Sequence, residues 1–95
     1  MHHERVSVEP EIPRRNENIE INYNGILARS GADGVWLHYG FDGWNEVYTT
    51  PMRQQFGNFT CSLKAQGRQE LNFCFKDSAD NWDNNNGWNW ACPIR

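Results

Sequence analysis

No stretch of this 95-residue chain approaches the roughly 18 consecutive apolar residues that a membrane-crossing helix requires. The opening MHHERVSVEP also lacks an apolar stretch of signal-peptide type. A cytoplasmic location is expected if the chain is complete, with secretion left open if it is an excised module. Basic residues are few: 9 Lys and Arg stand against 12 Asp and Glu, a formal charge of −3. A nucleic-acid partner needs a basic face or stripe, and an anionic membrane attracts polybasic segments, so neither partner is expected. Only three cysteines occur, Cys61, Cys74 and Cys92, widely spaced. At most one internal disulfide can form, and reduced packing residues are the simpler reading. Catalytic signatures are missing too, with no HExxH, no phosphate-binding glycine loop and no serine at a strained elbow. A single small domain has little room for a cleft that holds two carboxylates apart, as glycoside hydrolysis demands. The expectation is a non-enzyme without a cofactor.

What the chain does have is aromatic residues, 14% of the total with five Trp, and a recurring two-residue period. Ile19, Ile21 and Tyr23 alternate with polar neighbours, as do Val35, Leu37 and Tyr39, then Phe59, Cys61 and Leu63, then Leu71, Phe73 and Phe75. Runs of this length suit strands, and turn chemistry such as Asn24-Gly25, Asp42-Gly43 and Gln66-Gly67 separates them. A terminal strand is expected in WNWACPI, with Trp90 in the core. No helical apolar stripe and no internal repeat is found. The pattern predicts an all-β fold, an immunoglobulin-like antiparallel β-sandwich forming a single small domain, although a small open barrel carries the same pattern. Residues 1–18 are polar and interrupted by Pro10 and Pro13, and read as an N-terminal extension with an edge strand at 5–9 that belongs with the domain at 19–95. His2 and His3 fall on that terminal segment and are assigned no role.

Parity sorts the rings. If Val35 and Leu37 face the core, Trp36 and His38 point outward, because successive side chains of a strand alternate faces. Trp44 sits in the loop GFDGW and Trp82 in an Asn-rich loop, both in hydrophilic surroundings. Contiguous exposed aromatics mark a binding surface. The loop after residue 76 adds many short polar groups. Clustered oxygens there raise calcium as a ligand, but the EF-hand register would put loop position 1 on Trp82, which has no oxygen to give, and amide-rich loops commonly bond their own backbone. No metal is expected. Flat apolar rings beside amides, carboxylates and an ammonium group match a pyranose, which offers C–H patches to a ring and hydroxyls to a polar rim.

The stretches YNGIL, GADGVWLHYGFDGW and LNFCFKDSADNWDNNNGWNW resemble carbohydrate-binding module family 25 and the related family 53, the starch-binding modules, over about residues 19–92. The resemblance implies an immunoglobulin-like β-sandwich that binds α-1,4-linked glucans such as starch, glycogen and maltooligosaccharides. It places the ligand against His38, Trp44 and Trp82, with Trp36 as a further contact by analogy with family 26. Lys76, Asp77, Asn84, Asn85 and Asn86 match the KDS and DNNNG pattern, and which of them touches sugar stays open. Trp88 departs from the pattern. Such modules usually hang from an amylase or a starch synthase, so the expected partners are an α-glucan and a separate glucan-active enzyme. The competing reading is a protein-interaction or scaffold module that uses the same aromatic patch as its hot spot.

Overall fold

The structure, a computed structural model, describes residues 2, 3 and 5–95. The elements run β1 (His2–His3), β2 (Val6–Glu9), β3 (Asn18–Tyr23), α1 (Ile26–Arg29), β4 (Val35–Phe41), β5 (Glu46–Pro51), β6 (Arg53–Gln55), β7 (Asn58–Lys64), β8 (Glu70–Asp77), β9 (Trp82–Asp83) and β10 (Trp90–Pro93). They form two antiparallel sheets, one ordered β1-β2-β3-β7-β6 and the other β10-β8-β4-β5, with β9 pairing the far end of β8. The fold is a β-sandwich.

Alternation decides which face each strand buries. Ile19, Ile21 and Tyr23 lie directly opposite Leu63, Cys61 and Phe59 in the first sheet, and Leu37, Tyr39 and Phe41 lie opposite Phe75, Phe73 and Leu71 in the second. These inner faces share one core, where each buried Val, Leu, Ile or Phe contributes on the order of 1.5–3 kcal/mol. Tyr23 crosses between the sheets to stack on Phe75, with ring centroids 4.0 Å apart. Trp90 completes the layer against Phe73 at 6.0 Å and Phe75 at 5.3 Å.

The strand expected at the edge near residues 5–9 is an interior one. β2 pairs β3 on one side, Val6 with Tyr23 and Val8 with Ile21, and β1 on the other. Val6 and Val8 are buried in the common core, and that burial draws the segment into the sheet. The backbone of His2 and His3 supplies the outermost strand. Sequence periodicity gave no sign of β5, exposed along nearly its whole length, of β6, which is Arg-Gln-Gln, or of α1, which is a single turn.

Candidate functional site

The outer face of β4 and β8 carries the aromatic cluster. Trp36, His38 and Gly40 alternate outward along β4, opposite Lys76, Cys74 and Asn72 of β8, and Trp82 on β9 extends the same face beside Lys76. The His38 ring lies 5.8 Å from Trp44 with planes 29° apart, and 5.2 Å from Trp82 with planes 85° apart. His38 Nδ1 is 2.7 Å from Thr49 Oγ1, directly across on β5. That bond fixes the ring and leaves Nε2 for a ligand. Lys76 places its ammonium 5.4 Å from the Trp36 ring and 5.9 Å from Trp82, with a 2.9 Å ion pair to Asp80. Trp36 is half-buried, its ring folded back within 3.3 Å of where a Cβ on Gly34 would stand. Trp36 therefore joins the cluster through Lys76.

Trp44 reaches the face because of the turn after β4. Asp42, Gly43 and Trp44 all hold positive φ, at 54°, 83° and 66°, a conformation that costs a non-glycine residue on the order of 1–3 kcal/mol. Local hydrogen bonds offset that strain. The Asp42 carboxylate accepts N–H groups from Arg68, Gln69 and Glu70 at 2.6–3.1 Å, and the first of these, from Arg68, does most to hold its carboxyl below the usual carboxylate range. The Gly43 N–H donates to Asn72 Oδ1 at 2.8 Å, and the Asn72 amide donates in turn to Glu70. Gly40 lies beneath: a Cβ there would stand 3.0 Å from Trp44 Cα and 3.3 Å from its ring. The turn thus sets Trp44 down on the sheet, where only a glycine leaves room.

Trp82 is held by two other devices. Asp77 accepts the Ala79 and Asn81 N–H groups and the Asn81 amide at 2.9–3.0 Å, bonds that lower its carboxyl, chiefly through Asn81, and close the turn into β9. Tyr23 donates its hydroxyl to Asp83 at 2.6 Å while accepting the Leu27 N–H at 3.2 Å, which ties β9 and α1 to the core. Burial first, and the Asp83 bond second, push the Tyr23 phenol well above its ordinary range. Asn85, Asn86 and Asn89 have positive φ, as does Gly87, and Asn is the side-chain-bearing residue that best tolerates this region. Asn84 Oδ1 accepts the Gly87 N–H at 2.9 Å, and the Asn85 amide donates to the Asn89 carbonyl at 3.1 Å.

Of the residues singled out from the sequence, His38, Trp44 and Trp82 come together as one ring cluster, with Lys76 and Trp36 adjoining. Asp77 is engaged in its turn. Asn84, Asn85 and Asn86 line a separate concavity of about 620 Å3, of which Trp82 is one wall. Trp88 is 85% exposed. Among the described residues no group of three or more His, Cys, Asp or Glu is placed to hold a metal ion.

Residues 19–73 match the profile of the starch/carbohydrate-binding module, family 53. The chain belongs to that family. An α-amylase of Clostridium acetobutylicum is 40% identical over 77 residues, which cover 78% of this chain and 10% of the amylase. The chain thus spans about a tenth of the length of that relative. No solved structure matches the chain significantly.

In this family 53 module, sequence reading passed over the supports beneath the rings: Thr49, Gly40, Asp42, Asn72 and the Tyr23–Asp83 pair. Asp42-Gly43 was legible as a turn, but not its anchoring to residues 68–70, because a bond across 26 to 28 positions leaves no local trace. Cys74, of outward parity and paired with His38 across the strands, is nevertheless buried. Burial, with the Asp83 charge adding to it, pushes its thiol up to about 11.

Proposed function

We propose that this starch-binding family member binds α-1,4-linked glucans without catalysis, on the platform formed by Trp44, His38 and Trp82. The observation that carries this reading is the ring cluster itself, with the Trp44 and Trp82 rings centred 5.8 Å and 5.2 Å from the His38 ring on the outer face of the sheet. Each ring can cover the C–H side of a glucose unit, while His38 Nε2 and the Lys76 ammonium address the hydroxyl rim. The Trp44 and Trp82 rings stand at 29° and 85° to the His38 ring, a tilted arrangement that suits a curved helical chain better than the flat ribbon of cellulose. A shallow face leaves many hydroxyls wet, so short oligosaccharides should bind with dissociation constants on the order of 10 µM to 1 mM. The likeness of the chain to a tenth of an α-amylase supports a role in holding a glucan-active enzyme on its polymer.

The test is a pull-down on insoluble starch beside cellulose, followed by calorimetry with maltoheptaose. Retention on starch alone, lost in Trp44→Ala, supports the reading. Equal retention on both polymers, or on neither, overturns it, and the second outcome favours a protein partner for the aromatic face.

A further inference from the structure

We propose that the concavity beside Trp82 is a second subsite, which takes a phosphate monoester carried by a glucose unit of the chain stacked on the ring platform. The proposal rests on the α-glucan reading above and adds a substrate class to it. The concavity, of about 620 Å3, is bounded by Arg5, Arg29, Ile26, Trp82 and the amides of Asn84 and Asn85, and its size falls in the range of small-molecule sites. Its charge runs against the chain's formal −3. Among the described residues its lining carries the guanidinium groups of Arg5 and Arg29 and the carboxylate of Asp83, and that carboxylate already accepts the Tyr23 hydroxyl at 2.6 Å and the Asn85 N–H at 3.4 Å.

A neutral sugar gains little from two cations, whereas a guanidinium fork matches phosphate oxygens and stays charged at every working pH. Asn84, whose Oδ1 is taken by the Gly87 N–H, can offer its amide nitrogen as a neutral donor for the same oxygens. Arg29 stands in the last turn of α1, exposed. That turn is pinned to the β9 loop because the Leu27 N–H donates to the Tyr23 hydroxyl that Asp83 accepts. The distance from Arg29 to the amide run is therefore set by the core. Trp82 belongs to both places, as a ring of the cluster and a wall of the concavity that Arg29 also lines, so a glucose stacked there would lie beside the concavity.

Calorimetric titration of the intact chain with maltoheptaose, with maltoheptaose bearing one glucose 6-phosphate unit, and with inorganic phosphate alone decides the matter. The phosphorylated chain should bind about tenfold more tightly than the neutral one at low salt, with the gap narrowing at high salt. Arg29→Ala should cut the gap below about threefold and leave neutral maltoheptaose binding as it was, and Arg53→Ala on β6 should leave the gap intact. Equal affinity for the two chains in the unmodified protein overturns the proposal while leaving the α-glucan reading standing. A gap that survives Arg29→Ala overturns it too, as does inorganic phosphate binding as tightly as the phosphorylated chain, which would mean an anion site with no part in glucan binding. If maltoheptaose itself fails to bind, the α-glucan reading falls and this proposal with it.

Discussion

The two faces of the β4–β8 sheet each carry a layer of aromatic rings, and only one layer is closed. On the inner face Phe73, Phe75 and Trp90 pack against one another and under Tyr23 of the opposite sheet, and Trp90 is 6% exposed. On the outer face Trp44 and Trp82 approach His38 at similar centroid distances, yet Trp44 and His38 are only half-buried and Trp82 is 47% exposed. Planar rings at similar spacing are therefore core on one side and exposed cluster on the other. The difference lies in what faces them. The inner rings sit on regular strands and are fixed by packing, whereas two of the three outer ones come from a turn and a two-residue strand fixed by hydrogen bonds.

The sharpest way to separate the layers is to remove one ring from each. Trp90→Ala should destabilise the fold by about 3–5 kcal/mol, read by denaturant unfolding, with little change in maltooligosaccharide affinity in whatever fraction stays folded. Trp44→Ala or Trp82→Ala should do the opposite. Each should weaken maltoheptaose binding by at least about tenfold in calorimetry while stability moves by about 1 kcal/mol or less. A Trp44→Ala protein that unfolds like Trp90→Ala would erase the distinction between the layers.

A third experiment addresses the hydrogen bonds that replace packing on the outer face. Asp42→Asn keeps the shape but removes the charge that three backbone N–H groups address, so glucan affinity should drop a few-fold with Trp44 less well held. Acid should reveal the same support. Because the folded-state pKa of Asp42 lies below the unfolded value, its stabilisation is fully present above about pH 4 and is lost as pH falls toward the depressed folded value. The melting temperature of the unmodified protein should then decline below about pH 4, and Asp42→Asn should decline less. Parallel curves would show that another carboxylate governs acid stability.

The smallest expected effect concerns the thiol between the layers. Cys74, pushed up to about 11 by burial, should stay unmodified by a water-soluble disulfide reagent at pH 8 in the native state and react on unfolding. Rapid native labelling at Cys74, located by mass spectrometry, would mean that the outer rings open readily.

Much of the sandwich was legible because its core strands alternate strictly: Ile19, Ile21 and Tyr23 or Leu71, Phe73 and Phe75 permit one inward face and no other. The outward direction of Trp36 and His38 followed from the same parity. β5 and β6 escaped because a strand exposed along its length, or made of Arg53, Gln54 and Gln55, carries no period to detect. Trp44 and Trp82 were visible as residue types in loops, but their common position with His38 was not, since it depends on Asp42 meeting residues 68–70 and on Tyr23 meeting Asp83. The asparagine run shows how one pattern serves two purposes. Asn84 and Asn85 spend polar groups on their own turn, which composition alone does not distinguish from a rim offered to a ligand.

Gly40 gives the open layer an evolutionary property that the closed one lacks. A methyl group at that position would stand 2.9 Å from the Glu46 carbonyl as well as against Trp44, so the turn from Asp42 to Asn45 would have to lift and carry the indole with it. A glycine codon becomes an alanine codon by one base change. A lineage could thus dismantle the outer ring cluster in a single step and keep the sandwich as a bare scaffold, and it could rebuild the cluster by the reverse step, because the inner rings that fold the domain take no part in either.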